Sequence, residues 1–198
     1  DATDFPNNVF CTLFTRETDP GSAQFGGFRF LNQTFVNFAR IESSGYDFAA
    51  SYQFDLWEND FNIRLIGSKQ EALDFFTSRT DPTAVDPALR EFRSPEWSAQ
   101  LNLGWRRGPF SAGWTTLYQS DQAESGVQIE TIDTLFGPDG MAGESYAHNL
   151  NAAWQVRDNV RLYGGVNNVT DRNPFRTTAS WPVGPRGRYF FLGVEANF

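Results

Sequence analysis

The sequence predicts an all-β fold, a transmembrane antiparallel β-barrel, and three observations carry that prediction. Residues 186–198, RGRYFFLGVEANF, alternate with a period of two: Phe190, Leu192, Val194, Ala196 and Phe198 share one parity, and Tyr189, Phe191, Gly193, Glu195 and Asn197 the other. A strand that is apolar on one side and mixed on the other meets a different solvent on each face. The same alternation recurs along the chain, interrupted in turn by a short polar break and a long one. Finally, aromatic residues make up 16% of the sequence, with 20 Phe and 6 Trp, although the mean hydropathy is only -0.46. Aromatics in so polar a chain belong at an interface, and membrane barrels place them in two girdles.

Composition excludes other classes. No run approaches the roughly 18 apolar residues of a spanning helix. The net charge of -8 argues against nucleic acid, whose partners are basic. The start, DATDFPNNVF, has neither an initiating Met nor a signal pattern, so a processed chain or a piece of a longer one is expected. Cys11 is the single cysteine; in an exported protein it implies either a partner upstream of Asp1 or an isolated thiol. Lys69 is the single lysine.

Residues 1–34 are broken by Pro6, Asn7, Asn8, Pro20, Gly21, Gly26 and Gly27 and read as an extracellular loop with a hairpin arm. Within them only Phe28 to Phe35 looks extended, an eighth strand at most. From about Phe35 to the end the chain reads as spanning strands. Tyr46, Phe48, Ala50, Tyr52, Phe54 and Leu56 oppose Asp47, Ala49, Ser51, Gln53 and Asp55, and a turn at Trp57, Glu58, Asn59 and Asp60 leads into Phe61, Ile63 and Leu65 opposite Asn62 and Arg64. That return strand fades near Ser68, and a long loop occupies about 69–95.

Trp97, Ala99, Leu101, Leu103 and Trp105 then alternate with Ser98, Gln100, Asn102 and Gly104. After the turn at Arg106, Arg107, Gly108 and Pro109, Phe110, Ala112, Trp114, Thr116 and Tyr118 alternate with Ser111, Gly113, Thr115 and Gln119. A second long loop, about 120–144, is acidic throughout. Tyr146, His148, Leu150, Ala152, Trp154 and Val156 face away from Ala147, Asn149, Asn151 and Gln155, and Arg157, Asp158 and Asn159 turn the chain into Val160 to Val169. There Val160, Leu162 and Val166 oppose Arg161, Tyr163 and Asn167. A third loop, about 170–185, precedes the last strand.

Short turns at one end and long loops at the other are the asymmetry of outer-membrane barrels, and each row of five or six apolar residues over about ten positions suits a tilted strand crossing a bilayer. With Phe198 on the periplasmic side, Trp57, Trp105, Phe110, Trp154 and Phe198 form one girdle and Tyr46, Tyr118 and Tyr146 the other. Arg64, Gln100, Asn102, Gln119, Asn149, Asn151, Gln155, Arg161 and Asn167 are then lumen-facing. A soluble antiparallel barrel or sandwich also alternates, but it buries its apolar face and rarely sets Trp at strand ends in matched rows.

The ordered set RGRYFFLGVEANF, LYGGVNNVTDRNPF (162–175), NFARIESSGYDFAASYQF (37–54) and DFPNNVFCTLFTR (4–16) resembles the C-terminal part of TonB-dependent outer-membrane receptors of Gram-negative bacteria. The resemblance implies the last seven or eight strands of a 22-stranded barrel, closed by a plug and by upstream strands of the same receptor. It implies active uptake of a ferric siderophore, cobalamin or a carbohydrate, with energy delivered by TonB through the plug. Phe190, Leu192, Val194 and Phe198 are similar to the signal read by the barrel-assembly machinery, and Cys11 resembles one half of an extracellular-loop disulfide. No plug or energy-coupling segment is assigned within these residues.

Other chemistry is weak. His148, with Ser145 nearby, invites comparison with an outer-membrane acyl hydrolase, but the two have opposite parity. Asp133 and Asp139 follow no calcium spacing, no metal or cofactor is expected, and the glycosylation patterns at Asn32 and Asn168 are discounted. Arg172, Arg176, Arg186 and Arg188 flank the third loop at the outer rim, where guanidinium groups suit lipopolysaccharide phosphate or an anionic ligand as well as ordinary rim charge. Beside the receptor reading stands a self-contained eight-stranded structural or adhesin barrel.

Overall fold

A computed structural model of the chain describes residues 11, 13–32, 40–78, 81, 83–124, 126, 128–129, 137–175 and 180–197. The chain divides into two units, Asp1–Phe38 and Ala39–Phe198.

In the first unit β1 (Phe14–Arg16) pairs antiparallel with β2 (Phe28–Leu31). The rings of Phe14 and Phe28 meet edge to face at 5.2 Å, and the Arg16 guanidinium lies 4.9 Å from the Phe28 ring centre while donating to the Gly26 carbonyl at 2.6 Å. The stretch read as an eighth spanning strand is thus, over Phe28–Leu31, half of a separate two-stranded sheet; its remainder, 33–35, lies outside the described residues. Cys11 is half-buried and unbridged.

The second unit is built on β3 (Arg40–Leu56), β4 (Asn59–Phe76), β6 (Trp97–Arg107), β7 (Phe110–Gln119), β10 (Ser145–Arg157), β11 (Val160–Asn167) and β12 (Tyr189–Ala196). They form one antiparallel sheet in chain order, with β5 (Asp86–Pro87) added beside β4, and β3 and β12 are its open edges among the described residues. A small ladder, β8 (Gln122–Ala123) with β9 (Met141–Ala142), sits in the second loop.

Register turns the alternation of single strands into faces. Trp105, Ala112, Ala152, Gly164 and Leu192 are successive cross-strand partners, as are Leu103, Trp114, Leu150, Val166 and Phe190. The apolar face stays open: Leu192 is 86% exposed, Phe190 74% and Tyr46 65%. Soluble monomers rarely show apolar patches beyond a few hundred Å², so this face calls for lipid.

Two glycines are roofed by the ring directly across the ladder, Gly67 by Phe48 on the apolar face and Gly193 by Tyr163 on the other. The rings replace the packing that the missing side chains cannot supply.

The turns are tighter than the sequence suggests. Leu56 pairs with Asn59, leaving a two-residue loop at Trp57 and Glu58, both with positive φ (48° and 63°). That is the twist hairpins prefer, normally built from Asn and Gly. Asn59 compensates by donating from Nδ2 to the Leu56 and Trp57 carbonyls at 2.9 and 2.8 Å, and its Oδ1 accepts from the Trp105 indole at 2.9 Å. At Gly108–Pro109 the first residue has φ +52°, as in the mirror-image type II turn. The turn at Asp158–Asn159 is preceded by a register shift between Gln155 and Arg157, a bulge that lets an ordinary turn close the hairpin. Glu58→Gly relieves the left-handed strain and is expected to stabilise the fold by about 0.5–1 kcal/mol. The contact it loses, Arg107 to Glu58 at 3.7 Å, is exposed on both sides and worth little. A higher urea midpoint would bear this out, and a lower one would refute it.

The second strand is longer than expected. It does not fade at Ser68 but runs to Phe76, because its backbone goes on pairing with Arg40–Ser44 across a shift at Ser44/Gly45 and then with β5. Side chains lose their alternation there while the ladder continues, so the first long loop begins after Phe76.

Candidate functional site

The candidate site is the polar face of this sheet and the rim at its loop end. Arg64, Asn102, Thr115 and Asn149 are cross-strand partners in one row; Asn62, Gly104, Gly113, Asn151, Gly165 and Phe191 form the next. Gln119 pairs with Ser98 and Ser145, Gln100 with Ile66 and Leu117, Arg161 with Gln155 and Glu195, and Asn167 with Tyr189. All nine residues read as lumen-facing therefore lie on one side of the sheet.

Many of these groups satisfy one another. Asn102 Oδ1 accepts from Gln100 Nε2 at 2.9 Å and Thr115 Oγ1 at 3.0 Å, and the Ser68 and Ser98 hydroxyls meet at 2.9 Å. Arg106 reaches Asp60 at 2.7 Å and Arg161 reaches Glu195 at 3.7 Å, both solvated pairs. Such a lattice of neutral amides and hydroxyls is compatible with water or a polar partner and hostile to lipid.

At the loop end three loops converge. Gln122 is fully buried: its Oε1 accepts the Arg93 N–H at 2.8 Å and the Trp181 indole N–H at 3.2 Å, and its Nε2 donates to Gln119 Oε1 at 3.3 Å. The Arg93 guanidinium lies 5.3 Å from the Trp181 ring, and Arg90 pairs with Asp121. None of this network was visible in the sequence, where Arg93, Gln122 and Trp181 are isolated loop residues without a shared spacing. In the first loop the Thr83 hydroxyl and N–H both bond Asp81 and hold its carboxyl below its ordinary pKa, the hydroxyl contributing most.

The arginines flanking the third loop hold a turn together. Arg172 exchanges two 2.8 Å bonds with Asn168, N–H to Oδ1 and Nδ2–H to carbonyl. Its Nη2 donates to the Glu144 carbonyl at 3.3 Å, while its buried Nε has no partner among the described residues. Arg188 donates through its backbone to Asp171 Oδ1 at 2.8 Å and through Nη1 to the Val169 carbonyl at 3.3 Å; Arg186 lies 6.0 Å from the Tyr189 ring. Among the described residues none of the three is ion-paired. Arg176 and Phe198 lie outside the described residues, as do Asp133 and the Asp139 side chain. Phe190, Leu192 and Val194 line the free edge on β12.

His148 has a structural partner. Its Nδ1 is 2.9 Å from Thr116 Oγ1 and its ring 5.4 Å from that of Trp114, on the apolar face, whereas Ser145 is buried on the other. Nearby, the Glu144 carboxylate accepts the Tyr118 and Tyr146 hydroxyls at 3.2 Å each, fixing an aromatic pair at the loop end.

A sheet with one face for lipid, one for water, short turns at one end and long loops at the other is the wall of a transmembrane β-barrel. The family model described as TonB dependent receptor-like, beta-barrel matches residues 7–169, and the chain belongs to that family, one of receptors and transporters rather than enzymes. Among solved structures it is similar to mutants of the ferric enterobactin receptor of Pseudomonas aeruginosa. One, in complex with enterobactin, has a TM-score of 0.57 and another 0.56, each at 14% identity and covering 93% of this chain. At that identity the likeness is one of fold. The chain spans 26% of the length of those receptors. No curated protein matches.

Proposed function

We propose that the chain is the C-terminal barrel segment of a TonB-dependent receptor that takes up a scarce ligand across the outer membrane of a Gram-negative bacterium. The observation that carries the reading is the division of seven strands into an apolar and a hydrogen-bonding face in a chain of this family. In this reading the polar face meets a plug and hydrated lumen, and upstream strands complete the barrel along the open edges. Phe190, Leu192, Val194 and Phe198 present the assembly machinery with its signal, and Cys11 pairs with a cysteine upstream. The ligand class is that of a ferric siderophore, cobalamin or carbohydrate; enterobactin bound to a neighbour of the same fold makes ferric siderophore the first to try. Arg172, Arg176, Arg186 and Arg188 would meet anionic groups, of lipopolysaccharide or ligand, at the outer rim.

The test is accumulation of radiolabelled ferric enterobactin, cyanocobalamin and maltodextrin in cells with and without the receptor, in backgrounds with and without TonB. Uptake of one probe that needs both proteins is the expected result. Accumulation of none, or uptake indifferent to TonB, overturns the reading.

A further inference from the structure

The third loop does not simply stand above the sheet. Trp181 and Pro182 border a cavity of about 600 Å³ with Gln100, Leu117 and Gln119, and Pro182 to Gly187 border a second of about 480 Å³ with Leu117, Ala147 and Asn149. Residues 181–187 therefore lie over the polar face. They settle where that face is least polar, since Ile66, Leu117 and Ala147 occupy one cross-strand row with Gln100. Val183 is 8% exposed and Ala147 7%.

One end of this segment is clasped from two other loops. The Trp181 indole donates to the buried Gln122 and its ring faces the Arg93 guanidinium, while its carbonyl accepts the N–H of buried Phe175 at 2.7 Å. The remainder, 183–187, contains Gly184, Pro185 and Gly187. A firm clasp beside a segment with few side chains to pack can open as a unit, because opening costs mainly the clasp.

We propose that residues 180–187 are a strap folded into the barrel, and that the Gln122–Trp181 clasp sets access to the polar face beneath it. The proposal rests on the reading that this face lines the barrel interior. Gln122 acts as a positioning residue: it contacts no cargo but holds one loop against two others.

Thiol labelling tests it in intact cells carrying the whole receptor, on a Cys11→Ser background, with a membrane-impermeant maleimide added outside. Ala147→Cys places a thiol under the strap, Ser51→Cys one on the polar face outside both cavities, and Tyr52→Cys one on the apolar face beside it. The thiol at 147 is expected to react slowly, and Gln122→Ala to speed it about tenfold, the effect of losing one or two hydrogen bonds. The rate at 51 should not change. Should Gln122→Ala fail to assemble, Trp181→Phe keeps the ring over Arg93 and removes only the indole donor, with the same outcome expected. Labelling at 147 that is indifferent to both substitutions overturns the strap. Equal rates at 51 and 52 instead refute the barrel-interior reading, a failure the 147 series does not imitate.

Discussion

Leu150→Arg is expected to destabilise the folded protein by about 2–4 kcal/mol, while Asn151→Arg, one residue on, costs less than about 1 kcal/mol. Leu150 sits midway along β10 in the row Leu103, Trp114, Leu150, Val166 and Phe190, with no polar neighbour in that row to receive a guanidinium. At mid-depth the cation must draw in water or stretch to an interface, and either costs solvation energy that a fluid hydrocarbon cannot return. Asn151 lies on the other face between Gly113 and Gly165, where a longer side chain can extend into the solvated side. The pair differs in face but hardly in depth, strand or size of the introduced group. Urea titration of protein folded into vesicles measures both. Equal losses would mean that the two faces do not meet different solvents, and the membrane-barrel fold would not survive that result.

Legibility in the sequence followed the contrast between those solvents. From Tyr46 to Arg64, and again from Trp97 to Gln119 and Tyr146 to Val166, most outward residues are apolar and most inward ones polar or small, so parity alone assigned the faces. Where the contrast ends, the reading failed. Lys69, Gln70 and Glu71 look like loop, yet the ladder runs on to Phe76, held by backbone bonds that do not depend on side-chain polarity. Ile66 and Leu117 break the polar parity, and only the strap above them explains why. The cluster joins Gln122 to Trp181, 59 residues apart in sequence, and both to Arg93, a juxtaposition no periodicity encodes. Trp57 and Glu58 show the reverse case: a turn was evident, but its left-handed backbone was not, because Asn59 and the Trp105 indole supply what the turn residues lack.

Gly165→Val is expected to cost about 3 kcal/mol or more and to abolish most of the heat-modifiable folded form on semi-native electrophoresis. Gly165 lies between Asn151 and Phe191 in its row. A Cβ there would collide with the Leu150 carbonyl oxygen and stand 2.8 Å from the Phe191 ring. The ring can rotate away, but the carbonyl belongs to the neighbouring strand's backbone, and moving it spoils the pairing of β10 with β11 at the point where two glycines, Gly164 and Gly165, already leave the ladder without side-chain packing. Valine adds two methyl groups to that collision. Gly104→Val is the control: its Cβ would meet nothing nearer than Asn62 Cβ at 3.5 Å, an ordinary contact, and β-branching favours the strand. It should fold with an unchanged or raised urea midpoint. If both variants fold alike, the close approach of β10 and β11 is not what requires glycine at 165. If only Gly165→Val fails, the close approach of β10 and β11 limits assembly of that strand pair, next to the one at the free edge.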